Sequence, residues 1–473
     1  MTQDITTEKS PKKIAVLAFG GVGKDTMNNL RNQYPDAELV VYNRESKTGT
    51  GAAILSHQAE IAEYAGMTAQ EREKCKTIKG GWRYTNDVKD AVSEADFAIV
   101  AGGPARKDGE SREDLIARSV EFLNSIIPDI KSLKEADAEK INKTIWLLGT
   151  NPLDLMAPYF AKETGIDPKR LICPLGGELD FVRLSQSISL QLRDYYNKDI
   201  KPWQIQGVEV IGEHGPNDMI PVFSNIKVDV KGDGNFQKLL DLKTEDNQRV
   251  VDQIVSVPNP KTGKKEERTM LTEFERATKE GGTVITNLLG SSNPETSGII
   301  NAYVIKRIVN AMNGGECKHF NASFPVEGHE GVFLSQRLQA TKDGNIEVVD
   351  RKANGCELDD TTPVITRERK DPTSGAVTTE MITEKAAWDE AITKQEIRWK
   401  KLPDNLEQAK KNAEENSRKR SEVIASFKEM LAGSGHKALL LKAQLTDFIG
   451  TIFGQQSLNQ YNEAISAGAG LNR

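Results

Sequence analysis

The first 150 residues alternate between short apolar runs and longer stretches with helical spacing. Lys13–Phe19 (KIAVLAF), Glu38–Tyr42 (ELVVY), Asp96–Ala101 (DFAIVA) and Thr144–Leu148 (TIWLL) are predicted as strands. Val22–Arg31, Thr50–Ala65 and Arg112–Leu133 predict helices between them. Short strands that are apolar on both faces and separated by helices indicate a parallel sheet covered on both sides. From Asn151 to Val349 the pattern is mixed. Helices are predicted near Pro152–Thr164, Gly177–Tyr195 and Ser297–Met312, with a strand at Gln204–Ile211 that ends in a turn. Lys231–Arg268 is polar and strongly charged and reads as a surface insertion. Beyond Asp350 the composition changes. Val364–Glu384 alternates around Asp371-Pro-Thr-Ser-Gly375, the signature of a hairpin with a polar turn. Asn405–Leu431 is a highly charged helix, with Asp404 as its N-cap and Gly433 as its stop. Ala438–Phe453 is apolar enough to dock on its own subunit or a neighbour, and no internal repeat is visible.

The expected fold class is therefore α/β. A Rossmann-type parallel sheet over 1–150 is followed by an α+β substrate domain over 151–350, with the charged insertion near 231–268. An accessory hairpin and helical C-terminal extension covers 351–473. The length of 473 residues requires more than one core. With 63 Lys and Arg against 69 Asp and Glu, the net charge of −6 gives no reason to expect nucleic acid or an anionic membrane as partner. No apolar run approaches the ~18–20 residues of a membrane span, and Met1–Lys13 has no apolar signal core. The four cysteines, Cys75, Cys173, Cys317 and Cys356, lie far apart with no C-x-x-C spacing. That pattern supports neither a disulfide framework nor a zinc site, and it fits a reducing, cytoplasmic compartment.

Candidate chemistry begins where the first strand ends. Leu17-Ala-Phe-Gly20-Gly21-Val22-Gly23 lies at a strand-to-helix junction. Backbone approach to a pyrophosphate needs residues without a Cβ, and the helix N-terminus offers free N–H groups and partial positive charge. Gly20 and Gly23 hold two places of the G-x-G-x-x-G fingerprint; Ala18 replaces the first glycine. A Gly-rich turn without a ligand is the alternative reading. At the end of the second strand, the acid that would accept a ribose hydroxyl is replaced by Asn43, followed by Arg44. This pair does not repel a 2′-phosphate and favours NADP; if Arg44 is only a solvated loop residue, the site takes NAD.

Three further segments carry reactive side chains. Ala105–Arg112 (ARKDGESR) is a basic, Gly-containing loop that follows the strand at Asp96–Ala101. In a doubly wound sheet ligands bind at that end of the strands, although a solvated loop would look the same. In Gly176–Arg183 (GGELDFVR), Asp180 and Arg183 share a helix face, as they would in a plain intrahelical ion pair. His214 lies between Gly212-Glu213 and Gly215 at the end of an apolar strand. That is a poor place for core packing and a good one for proton transfer near neutral pH.

Together with Gly20–Gly23, Glu38–Tyr42, Ala101–Leu115 (AGGPARKDGESREDL) and Gly149–Asp154 (GTNPLD), these segments resemble, in order and in spacing, the lactate/malate dehydrogenase family. The resemblance runs from about Lys13 to Val349. It implies a Rossmann fold, an NAD or NADP cofactor, a homo-oligomer, and no metal. It implies that His214 exchanges the proton at the substrate C2 oxygen, that Asp180 orients His214, and that Arg183 grips the substrate carboxylate. It further implies that Arg112 polarises the carbonyl and that Asn151 touches substrate and nicotinamide. In this family Arg at the position of Arg106 goes with malate or oxaloacetate. An arginine facing a methyl group would be an unpaired cation in a closing site, so a C4 dicarboxylate is favoured over lactate. A dehydrogenase for another 2-hydroxy acid and a dehydrogenase-derived binding or scaffold protein are the competing readings.

Overall fold

The computed structural model describes residues 9–44, 66, 68, 81–103, 112–215, 218–259, 264–289, 294–316, 318–354, 357–370 and 377–432. The helix expected over Thr50–Ala65, the loop with Arg106, the hairpin turn at Asp371–Gly375, Gly433 and the segment Ala438–Phe453 lie outside them. The chain divides into two units, Met1–Leu402 and Pro403–Arg473.

The first unit opens with β1 (Lys13–Leu17), α1 (Gly21–Gln33), β2 (Glu38–Tyr42), β3 (Gly81–Thr85), α2 (Val88–Val92) and β4 (Phe97–Val100). It continues through α3 (Arg112–Asn124), α4 (Ile127–Ala136), α5 (Ala138–Lys143), β5 (Ile145–Leu148), α6 (Leu153–Thr164) and β6 (Leu171–Ile172). The six strands form one sheet in the order β3-β2-β1-β4-β5-β6, and every pair is parallel. The order reverses between β1 and β4, which opens a crevice beyond the carboxyl ends of those two strands. The apolar runs of β1, β4 and β5 are buried throughout. The long helical pattern Arg112–Leu133 is two helices rather than one, and α4 restarts with Pro128 in its first turn, where a missing N–H costs nothing.

The rest of the unit comprises α7 (Glu178–Tyr196), the short strands β7 (Ile205–Gln206), β8 (Val210–Gly212), β9 (Met219–Pro221), β10 (Lys227–Val228) and β11 (Gln237–Lys238), then β12 (Ile254–Pro258) and β13 (Lys265–Thr269). Next come α8 (Met270–Leu289), α9 (Pro294–Met312), β14 (His319–Pro325), β15 (Phe333–Ala340), β16 (Ile346–Val348), β17 (Ile365–Lys370) and β18 (Val377–Ile382). The last helix, α10 (Glu384–Ala432), begins in the first unit and ends in the second. An antiparallel sheet runs β14-β15-β8-β9, with β16 beside β15. The strand expected over Gln204–Ile211 is two short strands, broken at Gly207, which takes φ +71°.

Lys231–Arg268 is exposed along most of its length, and Leu239, Leu242, Val250 and Val251 anchor it in the same core as Leu184, Phe223 and Phe274, while β12 and β13 form a hairpin. One expectation is corrected here. The charged helix does not start at Asp404. It starts at Glu384, where Thr383 Oγ1 accepts the Ala386 N–H at 3.2 Å, and it passes through Pro403. Thr383 is the stronger start signal because it caps a turn whose Ala387 and Ala391 are buried in the core. The hairpin expected over Val364–Glu384 is present as β17 and β18.

Candidate active site

α7 can begin where it does because Gly177 lies against the antiparallel sheet. A Cβ there would come within 2.6 Å of the Ala322 nitrogen and of Ser335 Oγ. That close approach sets Asp180, one turn into the helix and fully buried, against the segment that leaves β8. His214 Nδ1 lies 2.8 Å from Asp180 Oδ2. Asp180 Oδ1 accepts a hydrogen bond from Arg183 Nη1 at 3.1 Å. The carboxylate thus serves both neighbours, and the Asp180–Arg183 pair that the helical spacing allowed is part of the His214 cluster. With Nδ1–H donating to Asp180, Nε2 is the ring nitrogen left for chemistry.

A second aspartate fixes the backbone of the histidine. Asp154, at the start of α6, is fully buried. Its Oδ2 accepts the His214 N–H at 3.0 Å, and its Oδ1 accepts from Ser323 Oγ at 3.2 Å. Arg183 is only 18% exposed at its side chain, and its buried Nε has no hydrogen-bond partner among the described residues. A buried N–H on a guanidinium is costly unless an acceptor arrives. A carboxylate placed beside it would meet that need and would lie next to the His214–Asp180 pair.

The remaining candidates fall into two groups. Asn151 is exposed at the carboxyl end of β5; its carbonyl accepts from Ser119 Oγ at 2.6 Å. Arg112 is the first residue of α3, and its side chain, like all of Arg106, lies outside the described residues. The nucleotide turn lies where the strand order reverses. Gly20 precedes α1, and a Cβ there would meet nothing within 4 Å. Gly21 opens the helix, whose first turn has no acidic residue and no side-chain cap. A Cβ on Gly23 would fall 2.1 Å from the Ala18 carbonyl oxygen. An open first turn and a tightly seated third glycine are what a pyrophosphate requires, so these residues fit a dinucleotide. Asn43 donates its N–H to the Thr85 oxygen at 3.2 Å and accepts from Tyr84 Oη at 3.2 Å, and Arg44 is exposed. Among the described residues, no group of three His, Cys, Asp or Glu side chains is placed to hold a metal, and no helix is long and apolar enough to cross a membrane.

Residues 12–173 match the family model of the lactate/malate dehydrogenase, NAD binding domain. Over that stretch the chain is similar to the lactate/malate dehydrogenase family. It is 27% identical over 248 residues to L-lactate dehydrogenase 1 of Bacillus cereus (strain ATCC 10987 / NRS 248), which covers 52% of this chain and 68% of that protein. It is 28% identical over 228 residues to L-lactate dehydrogenase of Clostridium botulinum (strain Loch Maree / Type A3), covering 47% of this chain and 61% of that protein. In fold it is similar to malate dehydrogenase from Plasmodium falciparum, with a TM-score of 0.55 and 17% identity over 84% of this chain and 99% of the other. It is likewise similar to malate dehydrogenase from Picrophilus torridus, with a TM-score of 0.53 and 21% identity over 86% of this chain and all of the other (100%).

Part of the candidate site is not legible in the sequence. Asp154 closes the GTNPLD motif, but nothing in the motif shows that its carboxylate holds the backbone of His214. Ser323 and Gln395 gave no signal at all. Gln395 Nε2 donates to the Asp154 carbonyl from a residue 241 positions away, a contact that only tertiary packing creates.

Proposed function

We propose that this chain is an oxidoreductase that interconverts a 2-hydroxy acid and its 2-oxo acid with a nicotinamide dinucleotide. Malate and oxaloacetate are the favoured pair and NAD the favoured cofactor. The observation that carries the reading is the His214–Asp180 pair beside Arg183, whose buried Nε lacks an acceptor among the described residues.

The chemistry a bound dinucleotide supplies is hydride transfer to or from the substrate C2. The protein does the rest. Arg183 binds the C1 carboxylate through its planar fork. His214 Nε2 gives a proton to the C2 oxygen as the alcohol forms and takes it back in the reverse direction. Asp180 holds the imidazole in the required tautomer and stabilises its charged form. Arg112, on the loop side of the crevice, is assigned to the carbonyl oxygen where negative charge grows. Gly20, Gly21 and Gly23 cradle the pyrophosphate, and Asn151 lies at the carboxyl end of β5, where substrate and nicotinamide meet.

Arg106 supports the dicarboxylate, because a distal carboxylate gives that cation a partner. NAD is favoured over NADP because the matching family model is that of an NAD binding domain, and a malate dehydrogenase of the same fold, from Plasmodium falciparum, is solved in complex with NADH. Asn43-Arg44 remains the argument for NADP. A lactate reading is supported by the L-lactate dehydrogenases among the sequence relatives. A steady-state assay crossing NADH and NADPH with oxaloacetate and pyruvate tests all three points. Arg106→Gln should lower the oxaloacetate-to-pyruvate activity ratio about 10- to 100-fold, since a charged hydrogen bond is worth roughly 1.5–3 kcal/mol. An unchanged ratio removes the case for malate. Dinucleotide binding without turnover on either acid would favour a binding protein.

A further inference from the structure

His214 is flanked on its own segment by two buried carboxylates. The Glu213 side chain is 7% exposed and that of Asp218 is 2% exposed. Two buried anions beside a residue that must gain and lose a proton need partners of their own. Both partners come from α10, about three and four turns after its start at Glu384. Arg398 forms an ion pair with Glu213 Oε2 and places Nη2 3.2 Å from Asp218 Oδ2. Lys394 Nζ lies 2.6 Å from Asp218 Oδ1. Residues 394 and 398 share a helix face, and Gln395 beside them donates to the carbonyl of Asp154, whose carboxylate receives the His214 N–H.

This stretch of α10 is firmly seated. Ala387 and Ala391 are in the core, and Lys162 Nζ lies 5.7 Å from the centre of the Trp399 ring. Gly331 passes so close to that indole that a Cβ would fall 2.2 Å from Trp399 Nε1.

We infer that α10 clamps the His214 segment at both ends, through Arg398 and Lys394, and that these two are positioning residues of the His214–Asp180 pair. The inference rests on the role given to His214 above. Arg398 and Lys394 touch neither substrate nor cofactor in it. They hold the backbone on either side of the imidazole, and they neutralise Glu213 and Asp218, so that Asp180 is the anion that acts on the ring. A displacement of about 1 Å at such a site is enough to slow turnover roughly 10²-fold.

The test uses the full chain with Arg398→Met, Arg398→Lys and Lys394→Met. Turnover is measured with oxaloacetate and with pyruvate, dinucleotide affinity by titration, and amide hydrogen exchange along the chain. Arg398→Met should lower kcat roughly 10- to 100-fold and speed exchange over residues 210–219 by about tenfold. Dinucleotide affinity and exchange over residues 13–42 should stay near wild type. Arg398→Lys should regain most of kcat, and Lys394→Met should show the same pattern at smaller size. Unchanged exchange over 210–219 overturns the clamp, and faster exchange with unchanged kcat overturns its positioning role. If Arg398→Met does not fold, Lys394→Met and Arg398→Lys decide by the same two readouts. If folded wild-type protein transfers no hydride with either acid, the dehydrogenase reading fails. The exchange comparison then still decides whether α10 holds the segment.

Discussion

The two halves of the candidate site are built from different materials. The nucleotide turn at β1 and α1 is made of backbone: the open N–H groups of a helix start, a glycine facing empty space, and a glycine pressed against a carbonyl oxygen. Its residues are contiguous from Leu17 to Gly23. The catalytic half is made of side chains: Asp154, Asp180, Arg183, His214 and Ser323 from the body, with Lys394, Gln395 and Arg398 from α10. These are brought together over more than 200 positions by the antiparallel sheet and the core beneath it. A backbone site depends on chain conformation, so damage to it should reach folding and binding together. A side-chain site sits on an already stable frame, so damage to it should reach chemistry first.

The sharpest test of that difference is His214→Asn. The variant keeps a polar side chain next to Asp180 but loses the imidazole to which proton transfer is assigned in the proposed function. Turnover should fall by a factor on the order of 10²–10⁴. Dinucleotide affinity and thermal stability should change little, because the hydrogen bonds of His214 go to Asp180 and Asp154 and the nucleotide turn is built separately by β1 and α1. Steady-state kinetics alongside a binding titration would check this, and near-normal turnover would remove His214 from the mechanism.

Gly23→Ala strikes the other half. The new Cβ would lie 2.1 Å from the Ala18 carbonyl oxygen, a backbone atom that cannot turn aside. The helix start must shift away from β1. That overpacking should cost about 1–3 kcal/mol of stability and weaken dinucleotide binding about tenfold, since the shifted N–H groups no longer converge on the pyrophosphate. The His214 cluster should be intact at saturating dinucleotide, with kcat close to wild type. A variant that lost kcat while binding normally would erase the distinction between the halves.

This contrast also explains how much was legible in the sequence. The parallel sheet was readable because each strand is a contiguous apolar run, and the nucleotide turn because its glycines follow one another at a fixed spacing. His214, Asp180 and Arg183 were readable as motif residues, and the i,i+3 spacing of Asp180 and Arg183 placed them together. Polar composition hid the anchoring of Lys231–Arg268, since a few buried residues, Leu239, Leu242, Val250 and Val251, suffice to anchor a mostly charged segment. The charge of α10 hid its site-facing turn in the same way. Lys394, Gln395 and Arg398 look like any solvated helix surface until β8 and β9 bring Glu213 and Asp218 opposite them. β3 was also missed, because Gly81–Thr85 mixes Arg83 into a strand paired only on one side.

The smallest expected effect falls on the one residue that breaks the nucleotide pattern. Ala18 stands where the fingerprint has its first glycine, and it takes φ +83°. An L-residue in that left-handed region pays roughly 1–2 kcal/mol, because its Cβ crowds the following carbonyl. Glycine has no such crowding but gives up more chain entropy on folding, about 0.5–1 kcal/mol relative to alanine. Ala18→Gly should therefore stabilise the chain by about 0.5–1 kcal/mol, visible as a Tm rise on the order of 1–3 °C. Dinucleotide affinity should stay within about threefold of wild type, because the turn already has the conformation that glycine would adopt there and the helix N–H groups do not move. Differential scanning calorimetry and a dinucleotide titration measure the two effects. A lower Tm would mean that the methyl group contributes more by packing near Gly102 than its backbone conformation costs. The nucleotide half would then rest partly on a side chain, and the division between a backbone-built and a side-chain-built site would have to be redrawn at its first residue.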